Sequence, residues 1–299
     1  MKRHSMRWIF QAVLALALFS STAWAAPVVV VLSRTAEPYT AMLEGFKQAF
    51  SGEVVVANME GNAQQGQQLM QGYQPGEVAA VVAVGTEAAR AGAALNPAIP
   101  LLFSMVREPV ALPKRNPAGV ILQIKVSDQF GKIALLFPLR KRIGVIYNPS
   151  VSADQVSEAR GLMDRFGLKL YMLSVESAAG VPAALDRMTP AHVDLIWMVL
   201  DETVAQPAVL KQVITHSLQQ KLPVVGFSMH QVKAGVVAAF AADYQDIGGQ
   251  TAKLAKRMIA GEPAAVEAPR KMLLYVNPTV QQALGCEDLT KAKDAHQVQ

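Results

Sequence analysis

The chain has 299 residues, 52% of them hydrophobic, with a formal net charge of +5 and one cysteine. A single Cys286 excludes an intrachain disulfide and argues against a thiol nucleophile or a Cys-based metal site. Lys2, Arg3 and Arg7 fall in the first 25 residues, and setting them aside lowers the charge from +5 to +2. The basic balance therefore gives no case for a nucleic-acid partner.

The N-terminus reads as an export signal. Its basic start precedes an apolar run from Trp8 to Phe19 and the A-x-A site Ala23-Trp24-Ala25. That run is too short to span a bilayer comfortably. Cleavage is expected after Ala25, the uncleaved anchor being the other reading. About 270 residues then remain, enough for two compact domains.

From Pro27 strands and helices alternate. Strands are expected at Pro27–Leu32, Glu53–Ala57, Val78–Val84, from Pro100, and at Gly119–Ile124. Helices are expected at Tyr39–Phe50, Gln64–Tyr73, from Thr86, and at Ser127–Phe137. Arg107 to Pro117, with three prolines, reads as a loop. The pattern then restarts. Strands Arg142–Tyr147, Leu168–Ser174, Val193–Leu200, Leu222–Phe227 and Val236–Phe240 alternate with helices Ala153–Phe166, Pro182–Met188 and Val204–Gln219. A helix Tyr244–Ile259, a strand Met272–Val276 and a helix Pro278–Leu284 follow. Residues 290–299 read as a disordered tail.

Such alternation implies parallel, doubly wound sheets. A repeat makes it two of them. Pro100-Leu101-Leu102-Phe103-Ser104-Met105 is echoed by Pro223-Val224-Val225-Gly226-Phe227-Ser228-Met229. The fold class expected is α/β with two lobes facing a shared cleft. Lobe one takes residues 26–124 and 243–270, and lobe two 125–242 and 271–289.

Strand ends facing that cleft are the candidate ligand contacts. Thr86 opens a helix after Gly85, a turn suited to an anionic group or else an ordinary cap. Arg34, beside Ser33, is a carboxylate partner or a solvated loop residue. Tyr39 stacks on a ligand or packs in the core. Asp201 and Glu108 are cleft acids, or a helix cap and a loop acid respectively. Ser104 and Ser228, the repeated serines, offer hydroxyls from opposite lobes. Tyr147, Phe103 and Phe227 line a pocket or the core, and Asp243 with Tyr244 sits at a hinge or contacts the ligand. Gly226-Phe227-Ser228-Met229-His230 lacks the final glycine of a nucleophile elbow. His192, His216, His230 and His296 have no metal-ligand spacing. Dinucleotide and P-loop motifs are absent from the sequence.

The chain resembles exported solute-binding proteins of ABC transporters, in the branch that includes tryptophan and tyrosine binders. The likeness rests on Arg142-Ile143-Gly144-Val145-Ile146-Tyr147-Asn148-Pro149, on Lys233-Ala234-Gly235 with Asp243-Tyr244 and Gly248, and on the ending Tyr275-Val276-Asn277. In lobe one it rests on Gly85-Thr86-Glu87-Ala88-Ala89 and Arg107-Glu108-Pro109-Val110. The chain departs at Glu108, where relatives often carry Asp, at Ser228-Met229-His230, and in lacking a Cys at the cleavage site. The resemblance implies a type I periplasmic-binding fold with three crossovers and a hinge that closes on a ligand. It also implies a monomeric, periplasmic, non-enzymatic binder without cofactor. Its partners would be a small amino-acid-like or aromatic molecule and an ABC permease. The other readings are a ligand sensor for a membrane receptor and a secreted hydrolase.

Overall fold

The computed structural model describes residues 26–107 and 117–298. The export signal and Glu108 lie outside the described residues.

Lobe one is built on a short run of valines. Strand β1 (Val28–Leu32) is buried along its whole length, as a central parallel strand must be. Helix α1 (Glu37–Ala49) begins with Pro38 in its first turn and buries Met42, Leu43 and Phe46 on that sheet. Strand β2 (Val54–Asn58), helix α2 (Ala63–Gly72), strand β3 (Ala80–Val84), helix α3 (Thr86–Ala91), strand β4 (Leu101–Val106) and strand β5 (Gly119–Ile121) follow.

Helix α4 (Val126–Leu136) carries the chain across to lobe two. There Trp197 stacks edge-on against Phe130, with centroids 4.8 Å apart, and its Nε1 donates to Gln129 Oε1 at 2.9 Å. Lobe two contains β6 (Arg142–Tyr147), α5 (Pro149–Phe166), β7 (Lys169–Ser174), α6 (Val181–Leu185), β8 (Leu195–Trp197), α7 (Pro207–Gln220), β9 (Val224–Gly226), α8 (Met229–Ala234) and β10 (Ala238–Ala242).

The chain then returns. Helix α9 (Tyr244–Ile259) lies on α1, and β11 (Val266–Glu267) pairs with β5. The α1–α9 crossing is a backbone contact. A Cβ on Gly45 would stand 2.0 Å from Gln245 O, and one on Gly248 2.0 Å from Met42 O. Only glycines permit that approach. Strand β12 (Met272–Val276), helix α10 (Pro278–Leu284) and strand β13 (Ala295–Gln297) finish lobe two.

The sheet orders are β11-β5-β4-β3-β1-β2 and β13-β12-β10-β9-β8-β6-β7, parallel except for β10 against β12. The fold is α/β with two mostly parallel sheets, and the chain passes between them three times.

Several element ends differ from expectation by a few residues, and four differences have a clear local cause. Helix α5 starts at Pro149, not Ala153, because Asn148 Oδ1 accepts from Ser150 N–H and Pro149 suits the first turn. Strand β8 stops at Trp197, not Leu200, since Asp201 N–H already turns back to Val199 O. Strand β10 begins at Ala238 because Val236 N–H still closes α8 on Gln231 O. The tail is ordered as far as Val298. Strand β13 extends the sheet beyond β12, Leu289 is 1% exposed, and Lys132 Nζ holds Asp294 at 2.5 Å. The pairing of Lys132 and Asp294 is long-range, so composition alone could not reveal it.

Candidate functional site

Lobe one gathers five of the expected residues at the carboxyl ends of β1 and β3. Gly85 has φ +88, and a Cβ there would meet Ser33 Oγ at 2.6 Å and Tyr39 OH at 2.7 Å. A glycine is therefore required at this turn. Ser33 is fully buried. Its Oγ donates to Val84 O at 2.8 Å and accepts from Ala88 N–H at 3.0 Å. Its hydroxyl fastens α3 to the sheet, so it is not a free ligand contact. The Thr86 and Glu87 amides are left without a partner among the described residues. Arg34 Nη2 lies 2.5 Å from Glu87 Oε1, both side chains substantially exposed. Burial, with the nearby Glu87 charge, raises the Tyr39 phenol above its ordinary value, against a lowering by Arg34.

Lobe two treats its expected acid differently. Asp201 is fully buried. Oδ2 accepts from Asn148 N–H and Ser152 Oγ, each at 2.7 Å, and Oδ1 accepts from Thr203 N–H at 2.8 Å. Both oxygens are engaged inside the protein, so Asp201 ties the end of β8 to the start of α5. Ser152 has non-helical backbone angles, φ −135 and ψ 21, and breaks α5 after its first turn.

The repeated serines part company. Ser104 lies inside β4, fully buried, with Oγ 2.9 Å from Thr251 Oγ1 of α9. It is a core contact and does not face a cleft. The strand runs on to Val106, whereas β9 stops at Gly226. Ser228 therefore falls past its strand end, where its Oγ caps α8 by accepting from Gln231 N–H. Phe103 is core at 1% exposure, and Phe227 lines a cavity. Tyr147 is half-buried at the end of β6, packed on the core.

Where the lobes meet, the described residues line three adjoining cavities. The inner one, about 120 Å³, is walled by Leu122, Ile124, Met198, Leu200, Phe227 and Phe240, with Gln123, Gln129, Gln155, Ser228 and Tyr244 also on its lining. Among the described residues, no charged side chain lines it. An outer one of about 420 Å³ shares Gln123, Gln155 and Leu200 with it and adds Arg107, Ser150 and Asp154. A third, about 200 Å³, holds Glu37, His230, Asp243 and Tyr275 and shares Ala242 and Tyr244 with the inner one. None of these cavities is lined by Ser33, Arg34, Tyr39, Thr86 or Glu87.

Asp243 caps α9 through Asp246 N–H and pairs with Lys271 Nζ at 2.6 Å. Burial, the largest single influence, raises its carboxyl, but the Lys271 hydrogen bond and charge together with the Asp246 and Gln245 amides outweigh it and hold the carboxyl below the usual range. Burial pushes the neighbouring Tyr244 phenol up to about 12, so it stays an O–H.

Sequence reasoning missed Gln123, Gln129, Gln155 and Leu200. One signal was present. Gln155 shares the buried face of α5 with Ser152, Val156, Ala159 and Met163. A long polar residue among such neighbours asks for a partner.

The family model for ABC transporter substrate binding protein matches residues 42–290. The chain belongs to that family. Among curated sequences, a tyrosine-binding protein of Clostridioides difficile (strain R20291) is 21% identical over 192 residues, 61% of this chain. The chain spans only 55% of that relative's length.

Solved structures share the family's fold. The ligand-free, open structure of a substrate binding protein with adhesive properties from Clostridium difficile superposes with a TM-score of 0.78 at 20% identity, over 92% of this chain and 99% of that one. An ABC domain in complex with L-Trp from Streptococcus pneumonia gives 0.62 at 23% identity, over 91% and 100%. A sugar-binding protein of a sugar ABC transporter from Bacillus halodurans gives 0.61 at 12% identity, over 86% and 99%.

Proposed function

We propose that this chain is an exported, periplasmic solute-binding protein that captures a small amino-acid-like or aromatic molecule between its lobes and delivers it to an ABC permease. The observation that carries the reading is the inner cavity, which is mostly apolar, free of charged side chains among the described residues and adjoined by a larger polar one with which it shares Gln123, Gln155 and Leu200. An apolar chamber with a few converging polar groups suits a ligand with an apolar body and a polar end. The tyrosine-binding relative and the tryptophan complex favour the same class.

Closure about the hinge would bring the unpaired Thr86 and Glu87 amides toward lobe two, where they would face the anionic end of the ligand. Tyr39, Tyr147, Ser228 and Asp243 remain candidate contacts. Arg34 contributes only by leaving Glu87, an exchange of low cost for an exposed pair. The protein acts as a monomer, without nucleic acid, and performs no chemistry. Ser228 is a helix cap, which argues against a hydrolase nucleophile.

The test is a thermal-shift screen of the chain lacking residues 1–25. Mass action makes a true ligand raise the melting temperature in proportion to the logarithm of its concentration. L-tyrosine or L-tryptophan is expected to do so, and glucose and myo-inositol are not. A shift with the sugars alone would overturn the ligand class, and no shift with any small molecule would overturn the binding role.

A further inference from the structure

Three glutamines line the inner cavity, and they are in different states. Gln129 is spent, because its Nε2 donates to Ile124 O and its Oε1 accepts from Trp197. Gln155 makes no hydrogen bond to any described residue through its side chain, although it is only 7% exposed. Gln123, on the chain leaving lobe one, is half-buried and its side chain likewise makes none. Gln123 and Gln155 line both cavities, so they stand where the mostly apolar chamber meets the polar one.

The Gln155 amide atoms are not sealed in the core; unpaired among the described residues, they stay open to the cavity, where a polar group can reach them. Gln155 is nevertheless held in place. It lies one residue short of a turn beyond the break at Ser152, and the Ser152 hydroxyl is fixed to Asp201. We propose that Gln155 reads the polar group of the ligand: an aromatic body without charge enters the inner cavity, and the O–H or N–H on its ring pairs with the Gln155 amide. The proposal rests on the binding role above and sharpens it. An amide carbonyl accepts from a phenol or an indole N–H, while the uncharged lining of the chamber disfavours a charged ring substituent. A site built to pair with a ring hydroxyl rejects the analogue that lacks it, because its own amide is then left unpaired.

Calorimetric titration of the chain with L-tyrosine and L-phenylalanine tests this. The wild type is expected to bind L-tyrosine at least about tenfold more tightly. Gln155→Leu and Gln155→Met should bring the two within about threefold by loss of L-tyrosine affinity. Neither variant should melt lower, since each removes an unpaired amide. A tyrosine preference that survives both substitutions, or equal loss of both ligands, overturns the role of Gln155 and leaves the binding role standing. If neither amino acid binds, the amino-acid reading falls and the role of Gln155 is decided with phenol and toluene. Saturable movement of the Gln155 side-chain amide signals in a nitrogen-15 spectrum with phenol, and none with toluene, supports it. Absence of movement with phenol overturns it.

Discussion

Arg107 Nη1 donates to the carbonyl oxygen of Val151 at 3.0 Å, joining the end of β4 in lobe one to the first turn of α5 in lobe two. The bond spans the rim of the outer cavity, which both residues line. Such a bond would bias the lobes toward each other. Arg107→Ala should therefore enlarge the radius of gyration measured by small-angle scattering without ligand. It should also weaken L-tyrosine binding about fivefold, the worth of one ordinary hydrogen bond. An unchanged scattering profile would remove the bridge from the account.

Asp201 should behave as a structural acid. Asp201→Ala strands the Asn148 and Thr203 amides and the Ser152 hydroxyl in a buried place. The expected loss is roughly 2–4 kcal/mol in urea unfolding monitored by circular dichroism. A variant of wild-type stability that has lost ligand would return Asp201 to the binding site.

Gly85 should tolerate no side chain. Gly85→Ala places a methyl against Ser33 Oγ and Tyr39 OH and forces φ +88 on an L-residue. A loss of roughly 1–3 kcal/mol is expected, with weaker binding because Thr86 and Glu87 move with the turn. A fully stable Ala variant would contradict the tight packing around this turn.

Acid should weaken the fold through two ion pairs. The Arg142 bond, working against desolvation, holds Asp194 below its usual value, and at Asp243 burial is outweighed by the Lys271 bond and charge together with the Asp246 and Gln245 amides, so it too is depressed. A depressed carboxyl contributes stability above its unfolded value of about 3.9 and loses it as pH falls through its lower folded value. The urea midpoint should thus be flat above about pH 5 and drop below about pH 4. Asp194→Asn should make the drop shallower, and an unchanged slope would rule Asp194 out as a contributor.

Cys286 should be a slow thiol. Burial pushes it up to about 11, opposed in smaller measure by Arg140 and reinforced by Glu287. Little thiolate exists at about pH 8, so labelling by a disulfide reagent should be far slower in native protein than in urea. Equal rates would show that the thiol is not shielded.

The two-lobe α/β architecture was legible because it rests on local regularities. A valine run such as Val28–Leu32 makes a buried strand, and the spacing of apolar residues along Tyr244–Ile259 makes one helix face. The Gly85-Thr86 turn was legible for the same reason, since strand, glycine and helix start are neighbours in sequence.

Where side chains go is another matter. Ser104 and Ser228 occupy equivalent places in a sequence repeat, yet one is sealed against Thr251 and the other caps α8 beside the cleft. The difference is that β4 runs past its serine and β9 stops before its own. Asp201 looked like a cleft acid until Asn148, Ser152 and Thr203 closed on it. Composition and periodicity determined the strands, the helices and the turn at Gly85, because these depend on residues a few positions apart. The tertiary structure alone decided which polar groups are already paired and which, like Gln155, face open space, because hydrogen bonds join residues tens of positions apart and leave no periodic trace.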